Sequence, residues 1–213
     1  MNILGLDAAL AACSAAVVAE GVVRAEAQAE GGRGYATQLP LMARRVLEGV
    51  GRLDAVAVTV GPGSFTGLRA AIALAQGIAL GAGCPVVAVR VAEALAEAVG
   101  ETGRPLWVAL DNRRGRIFLD RGTGLAAVAL EEVPLPESPV ALAGDAAAAL
   151  AGRLAAAGAD VQVTEAVRPH ARAVAAVGLR RLRGELAGLA VRPLYVEPPQ
   201  AALPKGGLRP APC

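Results

Sequence analysis

The stretch from Ala55 to Gly83 most constrains how this chain can fold, because it joins an apolar strand to a long apolar helix through a glycine-rich turn. The run Ala55–Val60 contains one polar residue, Thr59, which predicts a strand covered on both faces inside a sheet. Gly61, Pro62 and Gly63 end that strand. The helix is expected to begin near Phe65.

The predicted helix has non-polar residues on two opposite sides. At about 100° per residue, Phe65, Leu68, Ile72 and Ala79 share a bulky side, whereas Ala70, Ala73, Gly77 and Gly81 share a small side. The bulky side suits packing on a sheet, and the small side lets another helix approach closely. Three interpretations stay open: a buried core helix, a subunit-interface helix and a membrane span. Arg69, Gln76 and the glycines oppose the last one.

Composition sets broad limits on the class of protein. With 213 residues, of which 54% are hydrophobic, the chain can build one large domain or two modest ones. A net charge of +2 predicts no nucleic-acid affinity by itself. Cys13, Cys84 and Cys213 are too widely spaced for a disulfide framework or a CxxC metal site, which favours a reducing, cytosolic setting. The N-terminal residues lack the pattern of a secretory signal.

The order of elements predicts the fold class. Three antiparallel strands, Ile3–Leu6, Cys13–Ala19 and Val22–Gln28, precede an amphipathic helix and then alternating strands and helices. The order βββαβαβα is that of a ribonuclease-H-like unit, the building block of actin-like ATPase domains, so we predict an α/β fold with two lobes. The predicted boundaries are 1–102 for the first lobe, 103–197 for a smaller, degenerate second lobe, and 198–213 for a Pro-rich, poorly ordered tail.

The second half of the chain shows weaker patterns for predicting secondary structure. Leu106–Leu119 is predicted to form a hairpin. The prolines from Pro134 to Pro139 indicate an exposed connecting segment. A helix is predicted over Asp145–Ala157 with Asp145 as its cap, and a final one over Ala171–Leu189. The arginines of the final helix are interpreted as a solvated face, with contact to a polyanion as the alternative.

The candidate phosphate-binding residues lie at the ends of the first and fourth strands. They are Asp7, Gly61, Gly63, Ser64 and Thr66. Ser64 can cap the helix and leave neighbouring N–H groups for an anion. The turn lacks the Lys of a P-loop, however, and the spacing of its glycines differs by one residue from GxGxxG. The alternatives are turn geometry for the glycines and a turn-capping role for Asp7.

Histidine chemistry is nearly excluded. His170 is the single histidine of the sequence, and nothing local brings it to a serine or cysteine nucleophile. A metal site needs clustered His or Cys ligands in typical cases, and none is clustered here. We therefore predict no catalytic residue, no metal site and no cofactor for this chain.

Several segments resemble one family. The strings GPGSFTGLR at Gly61–Arg69 and AQGIALG at Ala75–Gly81 look like the signature of TsaB, the bacterial partner subunit in threonylcarbamoyladenosine modification of tRNA. The similarity extends to ILGLDAALAACSAAV near the N-terminus and to the turn Asp111–Gly115. It also includes Pro193–Tyr195 and Leu203–Lys205. The chain departs from the family pattern at Ala8, Tyr35 and Arg116, where relatives tend to carry Thr, His, and Glu or Gln.

The resemblance implies a cytoplasmic, non-catalytic scaffold that binds the catalytic subunit TsaD, with the ATPase TsaE joining them and ATP entering through these partners. The first two long helices are the predicted partner interface, with the residues Leu39, Met42, Val46, Ala70, Ala73, Leu74, Gly77 and Gly81. An apolar side left uncovered also predicts a homodimer when the chain is alone.

Two further expectations follow. Arg113, Arg114 and Arg116, with Arg121 nearby, are candidate contacts to tRNA phosphates within the complex, the alternative being a solvated turn. The rival function is a stand-alone actin-fold ATPase or phosphotransferase, in which Asp7 holds Mg²⁺ and the turn Gly61–Gly67 holds phosphate.

Overall fold

The computed structural model describes residues 1–31 and 34–197, which form two five-stranded sheets with helices packed on them. The first sheet contains β1 (Asn2–Asp7), β2 (Ala12–Ala19), β3 (Val22–Glu30), β4 (Ala55–Gly61) and β5 (Val86–Arg90), and α1 (Tyr35–Val46), α2 (Phe65–Ala82) and α3 (Val91–Val99) alternate with its later strands. The second sheet contains β6 (Leu106–Asp111), β7 (Ile117–Asp120), β8 (Leu125–Val128), β9 (Val140–Ala143) and β10 (Val161–Val163). Two more helices are α4 (Ala147–Ala156) and α5 (Ala171–Leu182).

The first sheet confirms the predicted order βββαβαβα. Its strands lie in the order β3-β2-β1-β4-β5; β1, β2 and β3 are antiparallel, and β4 and β5 run parallel to β1. All residues of β2 and β4 are buried. The second sheet repeats this arrangement with shorter strands, in the order β10-β9-β6-β7-β8.

Helices cover both faces of the first sheet. Leu39 and Val46 of α1, with Ala71 and Ala75 of α2, form one apolar cluster with β1, β2 and β4. On the opposite face, the packing helix is α5, whose residues Ala173–Leu179 cluster with Ile3, Ala55 and Val87. The helix α5, which falls within the predicted second lobe 103–197, packs on the first sheet and completes its core.

The α5 helix can lie close to the sheet because two glycines remove side chains from the contact. A Cβ atom at Gly5 of β1 would overlap the carbonyl oxygen of Ala171, and one at Gly178 of α5 would overlap Ala57. The helix ends at Leu182 and not at Leu189 as predicted, because Gly184 takes a left-handed conformation just beyond it.

One arginine of α5 departs from the predicted solvated face. The Arg181 side chain is only 7% exposed; its Nη2 donates to Glu93 Oε1 at 2.6 Å and its Nη1 to the carbonyl oxygen of Ala88 at 2.6 Å. Arg180 is more exposed, and pairs with Glu97 at 3.0 Å. These contacts fasten the end of α5 to α3 and β5.

The second sheet contains three strands that the sequence did not predict, namely β8, β9 and β10. They have only three or four residues each, too few for a recognisable alternation. The helix α4 is confirmed, but the cap is Ala146 and not Asp145. The Asp145 carboxylate instead accepts a hydrogen bond from the backbone N–H of Asp111 at 2.9 Å. The predicted tail, 198–213, lies outside the described residues.

We predict that Gly5→Ala lowers the free energy of unfolding by about 1–3 kcal/mol or more, since the added methyl group must push α5 away from β1. Gly152→Ala is the matched control: Gly152 lies in α4 with open space around it, so alanine should stabilise the helix by about 0.5–1 kcal/mol. Urea unfolding followed by circular dichroism measures both. Equal stability of the Gly5 variant and the parent chain would contradict the packing of α5 described above.

Candidate functional site

Asp7 is a buried carboxyl group at the carboxyl end of β1. The residue is 1% exposed, and its Oδ1 accepts hydrogen bonds from Thr59 Oγ1 at 2.6 Å and from the backbone N–H of Ala9 at 3.2 Å. The other oxygen, Oδ2, has no hydrogen-bond partner among the described residues. Burial raises the pKa of Asp7 from 3.8 to about 7, although the two hydrogen bonds partly oppose the shift. At moderate acidity the group is therefore neutral.

The turn after β1 lies directly on the N-terminus of α2. The backbone N–H of Ser64 donates to the carbonyl oxygen of Ala9 at 2.6 Å, and Ser64 Oγ accepts from the N–H of Gly67 at 3.2 Å. A Cβ atom at Gly63 would overlap the Ala9 carbonyl, and one at Gly67 would overlap the Ala8 carbonyl. The capping role of Ser64 is confirmed, whereas two N–H groups that an anion would need already have partners within the chain.

An apolar cluster joins the two lobes beside this turn. It combines Ala9, Leu10, Leu68, Val91 and Leu95 with Val108, Leu110 and Ala143 of the second sheet. Every one of these residues is at most 7% exposed. Surface depressions lie elsewhere, one along Gly100–Leu106 and another between α3 and α5. The turn predicted to hold phosphate thus faces packed protein on this side.

The candidate phosphate-binding residues are consequently not arranged as an open site. Asp7 is buried away from solvent, Gly61 is buried, and Gly63 is fixed against Ala9. Ser64 caps the helix, and Thr66 alone among them is an exposed side chain without a role in the turn. The alternative interpretations, glycines for turn geometry and Asp7 for turn capping, fit the contacts better. No cluster of three or more His, Cys, Asp or Glu side chains suited to a metal occurs in 1–31 and 34–197.

A segment from the second half of the chain crosses back over the end of β4. The N–H of Leu194 donates to the carbonyl oxygen of Val60 at 2.7 Å. Next to it, Tyr195 Oη accepts a hydrogen bond from Arg69 Nε at 3.0 Å, and its ring centroid is 5.9 Å from that of Phe65. The Arg69 guanidinium also lies 3.7 Å from the centroid of the Phe65 ring. Sequence spacing gave no signal for this cluster, because Tyr195 is distant along the chain.

The outer side of α2 is exposed along its length. Ala73, Gly77 and Gly81 of the predicted small side are exposed, and a Cβ atom at either glycine would meet open space. Phe65, predicted on the sheet side, is instead 56% exposed, and Leu80 is 86% exposed. The sequence could have predicted that Leu80 is exposed, because the neighbouring residue Ala79 was placed on the side that packs on the sheet.

Two residues of the predicted partner interface on α1 are buried within the chain. Leu39 and Val46 are 1% and 2% exposed and belong to the core of the first sheet, because they occupy the side of the helix that rests on β2 and β3. Met42, Ala70 and Leu74 are half-buried. Leu41, which the sequence analysis did not select, is 66% exposed on the outer side of α1. The interface role of α1 and α2 stays a prediction.

The length and composition of α2 would also suit a membrane span. Among the residues described, it is the helix that meets those criteria. Its inner side, however, contacts the sheet through Leu68, Ala71, Ala75 and Ala79, all at most 3% exposed. This is the arrangement of a helix packed on a protein core.

Two of the four arginines in and beside the hairpin have carboxylate partners. Arg113 lies 3.6 Å from Asp145, and Arg116 lies 2.8 Å from Glu197. In the described part of the chain, the Arg114 side chain has no carboxylate partner, and Arg121 lies over the ring of Trp107 at 5.7 Å. The tRNA contact stays a prediction, with Arg114 as the most available cation.

Comparison with known proteins places these features in context. A family model described as TsaD, tRNA N6-adenosine threonylcarbamoyltransferase, matches residues 29–132, just under half of the chain. A curated relative, the tRNA threonylcarbamoyladenosine biosynthesis protein TsaB of Escherichia coli, is 34% identical over 124 residues, which are 55% of this chain and 53% of that protein. The chain thus spans about half the length of the curated relatives it matches.

Solved structures extend the likeness over nearly the whole chain. YeaZ from Pseudomonas aeruginosa superposes with a TM-score of 0.76 at 29% identity, covering 91% of this chain and 99% of that one. The ethanolamine utilization protein EutJ from Carboxydothermus hydrogenoformans has a TM-score of 0.50 at 14% identity, covering 84% and 90% of the two chains. The second likeness concerns the fold alone.

The two related sheets define the class: this is a two-lobed α/β protein of the actin-like, ribonuclease-H-like fold. Within that class, TsaB of Escherichia coli and YeaZ are more similar to this chain in sequence than EutJ is. These likenesses support the assignment of the chain to the TsaB family.

We predict that Asp7 makes the stability of this protein depend on pH. The folded protein keeps the Asp7 proton up to about pH 7, whereas the unfolded chain releases it near the ordinary pKa of 3.8. The folded state therefore binds more protons between these values, and the free energy of unfolding should fall by up to about 1.4 kcal/mol per pH unit as the pH rises from about 4 to about 7.

The variant Asp7→Asn, a neutral group of the same shape, should lose this part of the pH dependence and be more stable than the parent above pH 7. Urea unfolding across pH 4.5–8 measures the difference. Parallel curves for the two proteins would show that Asp7 does not titrate in this range.

Proposed function

We propose that this chain acts in threonylcarbamoyladenosine biosynthesis on tRNA as a non-catalytic scaffold subunit. Its partner is a TsaD-type catalytic subunit, with a TsaE-type ATPase joining the complex and ATP entering through these partners. In this proposal, the complex modifies tRNA in the cytoplasm. The similarity to two TsaB relatives, whose names give this pathway, supports the proposal.

The observation that carries the proposal is the exposed outer side of α2. This side combines large apolar side chains at its two ends, Phe65 and Leu80, with small exposed residues, Ala73 and Gly77, between them. Small residues let a second helix approach closely, and exposed apolar side chains at the ends gain from being covered. A helix of a partner subunit fits this shape. The same surface supports a homodimer when the partner is absent.

The rival function, a stand-alone ATPase or phosphotransferase, has less support. It requires Asp7 to reach Mg²⁺ and the turn Gly61–Gly67 to reach phosphate. The carboxyl group is buried, and the turn is in contact with the backbone of Ala8 and Ala9. Turnover of ATP by the purified chain with Mg²⁺, abolished in Asp7→Asn, would favour the rival.

We predict that Ala73→Arg leaves the isolated chain folded but abolishes binding to the TsaD-type subunit. Ala73 is exposed on α2, so arginine there does not disturb the core. In a close helix pair it would separate the backbones and bury an unpaired charge, which weakens association by orders of magnitude. Melting temperature and circular dichroism should stay nearly unchanged. Co-purification and tRNA threonylcarbamoylation in the reconstituted system should be lost.

Ala155→Arg is the matched control, because Ala155 is an exposed alanine on α4 in the second lobe. It should bind the partner and support modification as the parent does. Normal binding by folded Ala73→Arg would move the interface to another surface, and an unfolded variant would mean that Ala73 belongs to the core.

A further inference from the structure

The tip of the hairpin between β6 and β7 binds a carboxylate that comes from a distant part of the chain. Glu197 Oε1 accepts a hydrogen bond from Arg116 Nη1 at 2.8 Å, and Glu197 Oε2 accepts one from Asn112 Nδ2 at 3.2 Å. Each carboxylate oxygen therefore has its own donor. A guanidinium and an amide that bind the two oxygens of one anion form an oxyanion site. Here the anion belongs to the chain itself.

The two donors are held in position by contacts that do not involve Glu197. Asn112 Oδ1 accepts hydrogen bonds from the backbone N–H groups of Arg114 at 2.8 Å and of Arg116 at 3.1 Å, which fix the amide group. Arg116 Nη2 donates to the carbonyl oxygen of Ala127 in β8. All these contacts lie within the second lobe. The donors therefore stay in place for another oxyanion when the carboxylate leaves.

The segment before Glu197 is anchored on the first lobe. The N–H of Leu194 donates to the carbonyl oxygen of Val60 at 2.7 Å, and Tyr195 Oη accepts from Arg69 Nε at 3.0 Å. Two residues further on, Glu197 contacts the second lobe, with 21% of its side chain exposed. Because both anchors come before it, Glu197 can leave the hairpin by a local movement, without detachment of Leu194 or Tyr195.

The surroundings of this site suit a phosphate group. Residues 111–116 consist of polar side chains and one glycine, and three of the six are arginines. Arg114 is exposed and has no carboxylate partner in the described part of the chain. The Arg113 side chain is 66% exposed, and its contacts with Asp111 and Asp145 are long, at 3.5 and 3.6 Å. Three cations within four residues can contact neighbouring phosphates of one RNA strand.

We propose that Arg116 and Asn112 form a binding site for a phosphate group of tRNA, and that Glu197 occupies this site as an internal competitor until the RNA displaces it. The inference rests on the proposed function, in which the complex modifies tRNA, and adds a binding site and its control. A phosphodiester offers two free oxygens, as a carboxylate does, so the same two donors serve either anion. With Glu197 in place, Arg116 is neutralised and a negative charge lies in the path of the RNA.

Holding the lobes together is a weaker explanation for this ion pair. The Arg116 side chain is 44% exposed, and ion pairs in contact with water contribute little to stability. The lobes are already joined by the apolar cluster that contains Leu10, Leu68 and Leu110. A weak pair between two well-anchored segments is easily exchanged for another anion, which is what an internal competitor requires.

An acidic protein is a less suitable occupant than RNA. Protein interfaces have a largely apolar centre, and residues 111–116 offer no apolar side chain that could form one. Contact with a phosphate backbone needs only cations and hydrogen-bond donors. The hairpin tip supplies both.

Removal of the Glu197 charge tests the proposal. Glu197→Gln keeps the shape of the side chain and should bind a fluorescein-labelled tRNA transcript about threefold to tenfold more tightly than the parent, because the competitor is weakened and the repulsion is lost. One additional phosphate contact should also steepen the fall of log K with log salt by about 0.7–0.9. Fluorescence anisotropy between 50 and 300 mM NaCl measures both, on the purified chain and on the assembled complex.

Glu97→Gln is the matched control. Glu97 pairs with Arg180 at 3.0 Å where α3 meets α5, so this variant changes the net charge by the same amount away from the hairpin. Its tRNA affinity and salt dependence should equal those of the parent. The double variant Arg116→Gln with Glu197→Gln should lose the gain, since the phosphate donor is gone. Unchanged melting temperatures would show that the variants are folded.

Three results would overturn the proposal. They are an unchanged tRNA affinity of Glu197→Gln, an equal gain in Glu97→Gln, and no detectable tRNA binding by the parent or the variants, alone or in the complex. An equal gain in the binding of polyglutamate would show that the site takes acidic polypeptides as readily, and would overturn the assignment to RNA.

The scaffold function is tested separately, by binding of the TsaD-type subunit to the parent chain. If that binding is absent while Glu197→Gln still tightens tRNA binding, the scaffold function fails and the phosphate site is supported. If the subunit binds and Glu197→Gln has no effect on tRNA, the scaffold is supported and the phosphate site fails.

Discussion

The contact on which much of the structure depends is that between the turn after β1 and the beginning of α2. Carbonyl oxygens of Ala8 and Ala9 occupy the space that side chains at Gly67 and Gly63 would fill, and Ser64 bonds to Ala9. This contact fixes the direction of α2 relative to β1 and β4. In the same contact, the backbone N–H groups that a phosphate could bind already donate hydrogen bonds within the chain. The same glycines that resemble an anion-binding turn thus serve a backbone-to-backbone contact.

With α2 fixed at its N-terminus, one side of the helix lies in the core and the other must face outward. The inner side supplies Leu68, Ala71 and Ala75, and the outer side leaves Ala73 and Gly77 exposed. A helix that is non-polar all round would usually be wholly buried. Here the outer side of α2 stays exposed and is available for association.

Much of the first lobe could be predicted from sequence, because its signals are local. The run Ala55–Val60, the cap Ser64 and the alternation of strands and helices each identify an element within a few residues. Long-range packing could not be predicted this way. The position of α5 on β1 depends on Gly5 and Gly178, and the aromatic cluster depends on Tyr195 reaching Phe65. Asp7 was selected as a candidate phosphate-binding residue from its place at the end of β1, whereas its burial depends on the complete fold and could not be predicted.

The position of α5 has a consequence for how the protein is made. The first sheet is encoded before residue 91, but the helix that covers its second face begins at Ala171. During synthesis on a ribosome, the apolar residues of that face have no covering helix until α5 (Ala171–Leu182) has emerged. Folding of the first lobe is therefore delayed by contacts of large sequence separation, which slow folding and leave nascent chains open to aggregation. A chain truncated before α5 would leave that face of the sheet permanently uncovered.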